Sequence, residues 1–431
     1  MSKRYQGALR KSTVLRRKKR KFEVLGGRVL LLQLPMPLVE VWEELQAEVE
    51  RLAGEAGLKI LHGILQDEVR QKVGPRHRPD PAQGNVRWGR QPGYVIFGGQ
   101  KIPLARPRVR TRSGEEVELD SYGKLQQDGR MQRAVAERVV CGLSTRKYRR
   151  AVQSVLDGYG ISKSSVSRHF VRATANQLRE LCERRLEQLN LVALLIDGIE
   201  FASQTLIVAL GVEENGVKHV LGLWQGATEN ATVCRALLED LVARGVNPER
   251  RYLFVLDGSK ALRAAVEKVF GAQAEVQRCQ LHKRRNVKDH LPKECQADYD
   301  RQLRNAYAMT SYEEAKAALG KLFRQLERIN PSAARSLEEG MEETLTLHRL
   351  GVGPLLRRSL ASTNIIESCL GTVRHVARNV KRWQGGDHIA RWTATGLLEA
   401  EKKFRKVKGY RQLKELAQKL NPHSTPQQQV A

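Results

Sequence analysis

Eight residues constrain the fold more than any others: Leu191-Val192-Ala193-Leu194-Leu195-Ile196-Asp197-Gly198. A short, dense apolar run of this kind reads as a strand buried on both faces. It closes on a carboxylate, which is costly to bury unless a cation or hydrogen-bond donors satisfy it. Sixty residues on, the pattern returns as Tyr252-Leu253-Phe254-Val255-Leu256-Asp257-Gly258. Two such strands, each closing on Asp-Gly, bring two carboxylates to one sheet end and make a site for a hard divalent cation. Asp-Gly is also a common turn pair, so either strand alone reads as the start of a turn. Taken together the pair favours the metal site.

The elements around these strands have a definite order. Thr205 to Val212 and Val217 to Trp224 are strand-like and flank Glu213-Glu214-Asn215-Gly216, a strong hairpin turn. Ala231 to Arg244 has helical apolar spacing, the strand ending at Asp257 follows, then a helix from Ser259 to Phe270 and a short strand around Ala274-Glu275-Val276. Three strands, helix, strand, helix, strand is the order of an α/β ribonuclease H-like core with a mixed sheet. Arg284 to about Leu356 is charged and helical, an all-α insertion before the core resumes. Ser362 to Val380 is again helical, with Ile365, Ile366, Cys369, Leu370, Val373 and Val376 facing inward.

Upstream of the core the chain is basic. The formal charge is +28, from 75 Lys and Arg against 47 Asp and Glu, and such an excess calls for a polyanion partner, with nucleic acid first among them. Residues 1–30 hold eleven basic side chains and one acid, and the block Arg16-Arg17-Lys18-Lys19-Arg20-Lys21 reads as a phosphate-seeking or solvated tail. Leu38 to roughly Val73 reads as two amphipathic helices. Tyr94 to Leu104 reads as a β-hairpin turning at Gly98-Gly99, and it leads into Arg106, Arg108 and Arg110. Alternate arginines on a strand share one face, a basic ribbon for the DNA backbone. A helix from Met131 to Leu143, a second from Ser144 to Leu156, the turn Asp157-Gly158-Tyr159-Gly160 and a third helix capped by Ser162 are the outline of a helix-turn-helix. Lys163, Ser165, Ser167 and Arg168 would then meet a DNA groove.

These readings divide the chain into a basic tail and N-terminal helices (1–75), a basic hairpin region (76–130) and a helix-turn-helix-like region (131–190). The first part of the core (191–290), the helical insertion (291–358), a final core helix (359–405) and a C-terminal tail (406–431), polar beyond Gln418, complete it. No apolar stretch reaches the length of a membrane span and no secretory signal is visible. The six cysteines lack a disulfide-framework spacing, which fits a reducing cytoplasm and, with the charge, association with the nucleoid.

Two aspartates need another acid to hold two metal ions, and the candidate is Glu367 in Ser362-Thr363-Asn364-Ile365-Ile366-Glu367-Ser368. Here the chain resembles the mutator-type family of bacterial insertion-sequence transposases. The resemblance rests on Leu195-Ile196-Asp197-Gly198, Val255-Leu256-Asp257-Gly258, Cys279-Gln280-Leu281-His282-Lys283-Arg284-Arg285-Asn286 and Thr363-Asn364-Ile365-Ile366-Glu367-Ser368, and covers roughly residues 85–405. It implies a DDE transposase with catalytic, metal-binding acids at Asp197, Asp257 and Glu367, a supporting Cys-x-x-His element at Cys279 and His282, and two Mg²⁺ or Mn²⁺ ions. It also implies double-stranded DNA partners, the element's terminal inverted repeats and the target, and a homodimer. A zinc site using His290 and Cys295 as well has no standard finger spacing, so Cys279 reads as a buried thiol and His282 as a donor at the rim. Lys283, Arg284, Arg285 and Arg374 are candidate phosphate contacts, and Lys381, Arg382 and Trp383 offer cations and a stacking ring. Glu200 is a rival third acid, but strand alternation points it away from Asp197. A structure-specific nuclease or resolvase would use the same acids. A non-catalytic DNA-binding regulator would explain the charge but not the acids.

Overall fold

The computed structural model describes residues 22–24, 28–30, 38–77, 84–97, 100–126, 128–148, 151 and 162–422. The Arg16–Lys21 block, the Gly98-Gly99 and Asp157–Gly160 turns, most of the Ser144–Leu156 helix and residues 423–431 lie outside the described residues. The chain divides into two compact units, one from 1–95, 101–126 and 150–159, the other from 96–100, 127–149 and 160–431.

In the first unit, strands β1 (Phe22–Val24) and β2 (Arg28–Leu30) pair antiparallel. Helix α1 (Leu38–Val73) is one continuous helix of 36 residues, not the expected two. Gly54, Gly57 and Gly63 each lower helix propensity by about 1 kcal/mol, but unlike proline they keep the hydrogen-bond ladder intact. Strands β3 (Asn85–Phe97), β4 (Gln100–Thr111) and β5 (Glu116–Val117) form a three-stranded sheet in that order. The hairpin is therefore present, and β3 runs through Gly89 and Pro92. The Glu68 carboxylate accepts from the backbone N–H groups of Asp120 and Ser121, tying α1 to the start of α2 (Asp120–Leu125).

The second unit is built on a five-stranded mixed sheet of order β10-β9-β6-β7-β8. Strands β6 (Leu191–Phe201), β7 (Gln204–Glu213) and β8 (Lys218–Gly226) form an antiparallel meander. Strands β9 (Tyr252–Leu256) and β10 (Ala274–Arg278) join β6 in parallel, so their connections need crossover helices. Those are preceded in the chain by α3 (Asp128–Val140) and α4 (Lys163–Glu183), and are α5 (Ala231–Ala243) and α6 (Lys260–Phe270). Leu194, Ile196, Phe254 and Leu256 pack on α5 and α6 on one face of the sheet. Leu195, Ile199, Leu253 and Val255 face the opposite core.

After β10 no strand occurs among the described residues. Helices α7 (Gln280–Asp289), α8 (Lys293–Ala308), α9 (Tyr312–Ile329) and α10 (Pro331–Glu338) enclose their own core of Val287, Leu303, Leu319, Leu326 and Leu337, the expected all-α insertion. Short helices α11 (Met341–Thr344) and α12 (Thr346–Arg349) run beside β10, where the buried Gln277 amide donates to Thr344 O and accepts from Leu347 N. These bonds cover what would be an open sheet edge. Helix α13 (Pro354–Leu360) leads back to the core face, which α14 (Asn364–Ala377) and α15 (Gly386–Glu401) cover. Residues expected in a polar tail instead form helix α16 (Leu413–Leu420), whose Leu413, Leu416 and Leu420 are buried in the same core. Leu420, beyond Gln418 where the chain was expected to be polar, is thus a core residue, and Asn421 bonds both the N–H and the carbonyl of Arg251.

Helices α14 and α15 approach closely at Gly396, where an added Cβ would lie 2.8 Å from the Val373 Cα. Gly396→Ala gains about 1 kcal/mol of helix propensity but overpacks backbone against backbone, which costs roughly 1–3 kcal/mol. The expected result is a lower urea midpoint at unchanged slope. A midpoint at or above that of the wild type would mean the two helices separate freely.

Candidate active site

Asp197 and Asp257 reach the same place by different local structure. The parallel register sets Leu195 opposite Val255, and the same offset carried two residues on sets Asp197 beside Asp257. Strand β6 does not close at Asp197-Gly198: Gly198 stays in the ladder opposite Ile207 and the strand runs on to Phe201. Asp257 does end its strand. Its Oδ1 accepts from Ser259 N at 2.8 Å, and Gly258 follows with φ +113°, a left-handed turn that favours glycine. The turn reading thus holds for one Asp-Gly pair and fails for the other.

Glu367 arrives from α14. Ile366, Cys369, Leu370 and Val373 repeat with helical period and bury against the sheet face that carries Leu195 and Ile199, the face of Asp197. Glu367 sits in the first turn of this helix. Burial and the neighbouring Asp257 carboxylate, with a smaller contribution from Glu367, push the Asp197 carboxyl up to about 7, against the pull of the Gly198 N–H. Three carboxylates far apart in sequence therefore share one electrostatic environment. Glu200 lies three residues along β6, is exposed, and by alternation faces the other way.

A second cluster supports the third acid. Cys279 is fully buried and caps α7, its Sγ accepting from His282 N at 3.5 Å and from Thr363 N at 3.4 Å. Burial opposes ionisation of this thiol, but the hydrogen bonds from His282 and Thr363 outweigh it and hold its pKa below the ordinary value. Hydrogen bonding to Cys279, then the carboxylates of Glu367 and Asp257, raise the His282 pKa against its burial. His282 Nε2 stands 3.8 Å from Glu367 Oε1. Thr363 Oγ1 donates to Glu367 Oε1 at 2.6 Å and lies 3.3 Å from His282 Nδ1. Sequence reading quotes Thr363 within a motif and gives it no role; its place four residues before Glu367, one helical turn away, was the available signal. Among the described residues no three His, Cys, Asp or Glu side chains are gathered closely enough to enclose a metal ion.

The basic candidates fall into three groups. Lys163, Ser167 and Arg168 are exposed and Ser165 half-buried on the first turns of α4, which Ser162 caps as expected by accepting from Ser165 N. The opposite side of α4 is held to α15 by Phe170 against Trp392, with ring centroids 4.8 Å apart, and by Arg391 donating to Thr174. Arg285, Arg374, Lys381 and Arg382 are exposed. Others are spent inside the protein. Lys283 is buried, its ammonium donating to the carbonyls of Ser336 and Glu339, and burial pushes its pKa down to about 8. Arg284 forms a forked pair with Asp300, and Trp383 packs on Phe201 with centroids 4.9 Å apart. In the first unit Arg106, Arg108 and Arg110 do share a strand face, but all three converge on Glu116.

No helix among the described residues is long and apolar enough to cross a membrane. Residues 42–406 match the family described as Transposase, Mutator family. The chain is 28% identical over 318 residues to the transposase for insertion sequence element ISRM5 of Rhizobium meliloti, which spans 72% of this chain and 77% of that protein. It is 24% identical over 344 residues to the transposase for IS905 of Lactococcus lactis, covering 78% and 85%. It is 28% identical over 240 residues to the transposase for IS6120 of Mycolicibacterium smegmatis, covering 54% and 72%.

Proposed function

This chain belongs to the mutator family of transposases, and from that premise we propose that Asp197, Asp257 and Glu367 are the acids of a DDE-type, ribonuclease H-like centre that cuts DNA at element ends and joins the freed 3′-hydroxyl to target DNA. The observation that carries the reading is the charge coupling of Asp197 to both Asp257 and Glu367 at one end of the mixed sheet. The strand order β10-β9-β6-β7-β8, with an antiparallel meander followed by two parallel strands, supports the core assignment.

The donor set is hard oxygen, which suits Mg²⁺ or Mn²⁺ rather than a thiophilic metal. The crowding that raises the Asp197 pKa is a cost a bound cation would remove, so the residues fit such a group in chemistry. Asp197, Asp257 and Glu367 would hold it. Bound ions would supply Lewis-acid stabilisation of charge on the attacking and leaving oxygens. The chain's own part is to keep Asp197 rigid in the β6 ladder, to fix Asp257 by its turn onto Ser259, and to hold Glu367 through Thr363. Exposed Lys163, Arg168, Arg285, Arg374, Lys381 and Arg382 would grip the duplex through its phosphates.

Glu367→Gln is expected to bind an end-containing duplex normally and to lose strand cleavage by about 10²–10³-fold, the usual cost of removing one preorganised charge-stabilising group. Glu200→Gln should cleave as the wild type does. Gel-based binding and cleavage assays in Mg²⁺ on both variants test this. Normal cleavage by Glu367→Gln with loss in Glu200→Gln would move the third acid to β6.

A further inference from the structure

Thr363 occupies the N-cap position of α14, where a threonine hydroxyl ordinarily accepts from a backbone N–H in the first turn. Here it makes no such bond. Its side chain is wholly buried and turned instead toward three functional side chains: Glu367 Oε1 at 2.6 Å, His282 Nδ1 at 3.3 Å and Cys279 Sγ at 3.4 Å. The helix thus gives up a stabilising cap, and the hydroxyl acts elsewhere.

A threonine hydroxyl has one proton and two lone pairs. The shortest contact is to a carboxylate oxygen, which when ionised can only accept, so the proton goes to Glu367. His282 Nδ1 then faces a lone pair and must itself be the donor. That assigns the Nδ1–H tautomer to neutral His282 and leaves Nε2, the nitrogen nearer Glu367, as the free position. Cys279 Sγ does not need the Thr363 proton: it already accepts from the backbone N–H groups of His282 and Thr363, and the His282 ring, which also bonds this sulfur, can serve it from the same protonated Nδ1.

We infer that Thr363 is a positioning residue of the site: one buried hydroxyl fixes both the rotamer of the Glu367 carboxylate and the tautomer of His282. The inference rests on the three-acid reading above and adds to it the group that orients its third member. Partners one shell out from a metal-binding carboxylate commonly contribute 10–100-fold to affinity or activity, and Thr363 stands in that relation to Glu367.

The test uses the full-length chain with Thr363→Val, which keeps shape and loses the hydroxyl, and Thr363→Ser, which keeps the hydroxyl. In Thr363→Val, cleavage and Mn²⁺ affinity, read by electron paramagnetic resonance, should each fall about 10–100-fold. Thr363→Ser should stay near wild type. Without metal, nitrogen-15 spectra of the histidine rings, assigned with His282→Gln and taken above the His282 titration, should show Nδ1–H in the wild type and Thr363→Ser. The proton should move toward Nε2 in Thr363→Val. Thermal unfolding of each variant separates these effects from loss of fold. Wild-type cleavage, Mn²⁺ affinity and tautomer in a folded Thr363→Val would overturn the proposal, as would Thr363→Ser failing as badly as Thr363→Val. If Glu367→Gln is inactive while Thr363→Val is normal, the three acids stand and the positioning role falls. If Glu367→Gln itself cleaves normally, both fall.

Discussion

Asp197→Asn will lose strand cleavage by about 10³-fold, the scale of removing a preorganised charge at a reacting centre, and at neutral pH it will be harder to unfold than the wild type. The two effects share one cause. In the native chain Asp197 is buried against Asp257 and Glu367, and its pKa rises from an ordinary 3.8 to about 7. Between those values the native state keeps a proton that the unfolded chain has released, so stability falls as pH rises through the window and the deficit is complete above about 7. Asparagine keeps the shape and the acceptor for Gly198 N–H while removing the charge. The stability gap between variant and wild type should be near zero below about pH 4 and open to about 2–4 kcal/mol above pH 7, without added divalent ion. Urea melts across pH measure it. A variant less stable than the wild type at pH 8 would mean that Asp197 is not crowded, and one that still cleaves would mean that it is not catalytic. Asp257→Asn should lose cleavage in the same way.

Affinity for duplex DNA will collapse with salt. A chain of net charge +28 that neutralises six to ten phosphates loses about 10³–10⁵ in affinity between 50 and 200 mM salt, with a log–log slope near −0.9 per phosphate. The arginine ribbon should contribute less than its count suggests. Arg106, Arg108 and Arg110 share Glu116, whose carboxyl Arg108 above all holds below the usual carboxylate range. Replacing all three by alanine should flatten the slope by about two rather than three, because one cation is already balanced within the protein. Glu116→Gln should bind more tightly and steepen the slope by about one. Titrations of a labelled duplex at several salt concentrations measure both. An unchanged slope in the triple variant would take β4 off the DNA.

The core was legible because its signals are local and dense. Leu191 to Ile196 and Tyr252 to Leu256 can be little other than buried strands, and Asn215-Gly216 fixes the hairpin between β7 and β8. The helix that carries Glu367 was legible through the period of its apolar neighbours. What escaped depends on partners distant in sequence. Lys283 and Arg284 look like surface cations until Ser336, Glu339 and Asp300 take up their donors. Trp383 looks free to stack until Phe201 covers it. Thr363 shows its link to Glu367 only by helical spacing, and its link to His282, 81 residues away, not at all. The α16 helix was hidden by the polar composition around it, since three leucines suffice to seat eight residues. In β6 the Asp-Gly signal misled because an edge of β7 was there to pair with Gly198 and keep the strand going.

The helical segment leaves the sheet after Cys279, and the chain that returns from it along β10 and α13 meets its start again: Gln280 N donates to Ala361 O at 2.9 Å and Thr363 N donates to the Cys279 sulfur. Between these contacts, helices α7 to α10 have an interior of their own. Doubling such a stretch of chain costs only about 0.6 kcal/mol of closure entropy. Added length in α7 to α10 is therefore expected to cost the site little, provided the clasp at its ends is kept. What ties Asp257 to Glu367 in space is the clasp of Cys279 and Thr363 rather than the stretch of chain between them.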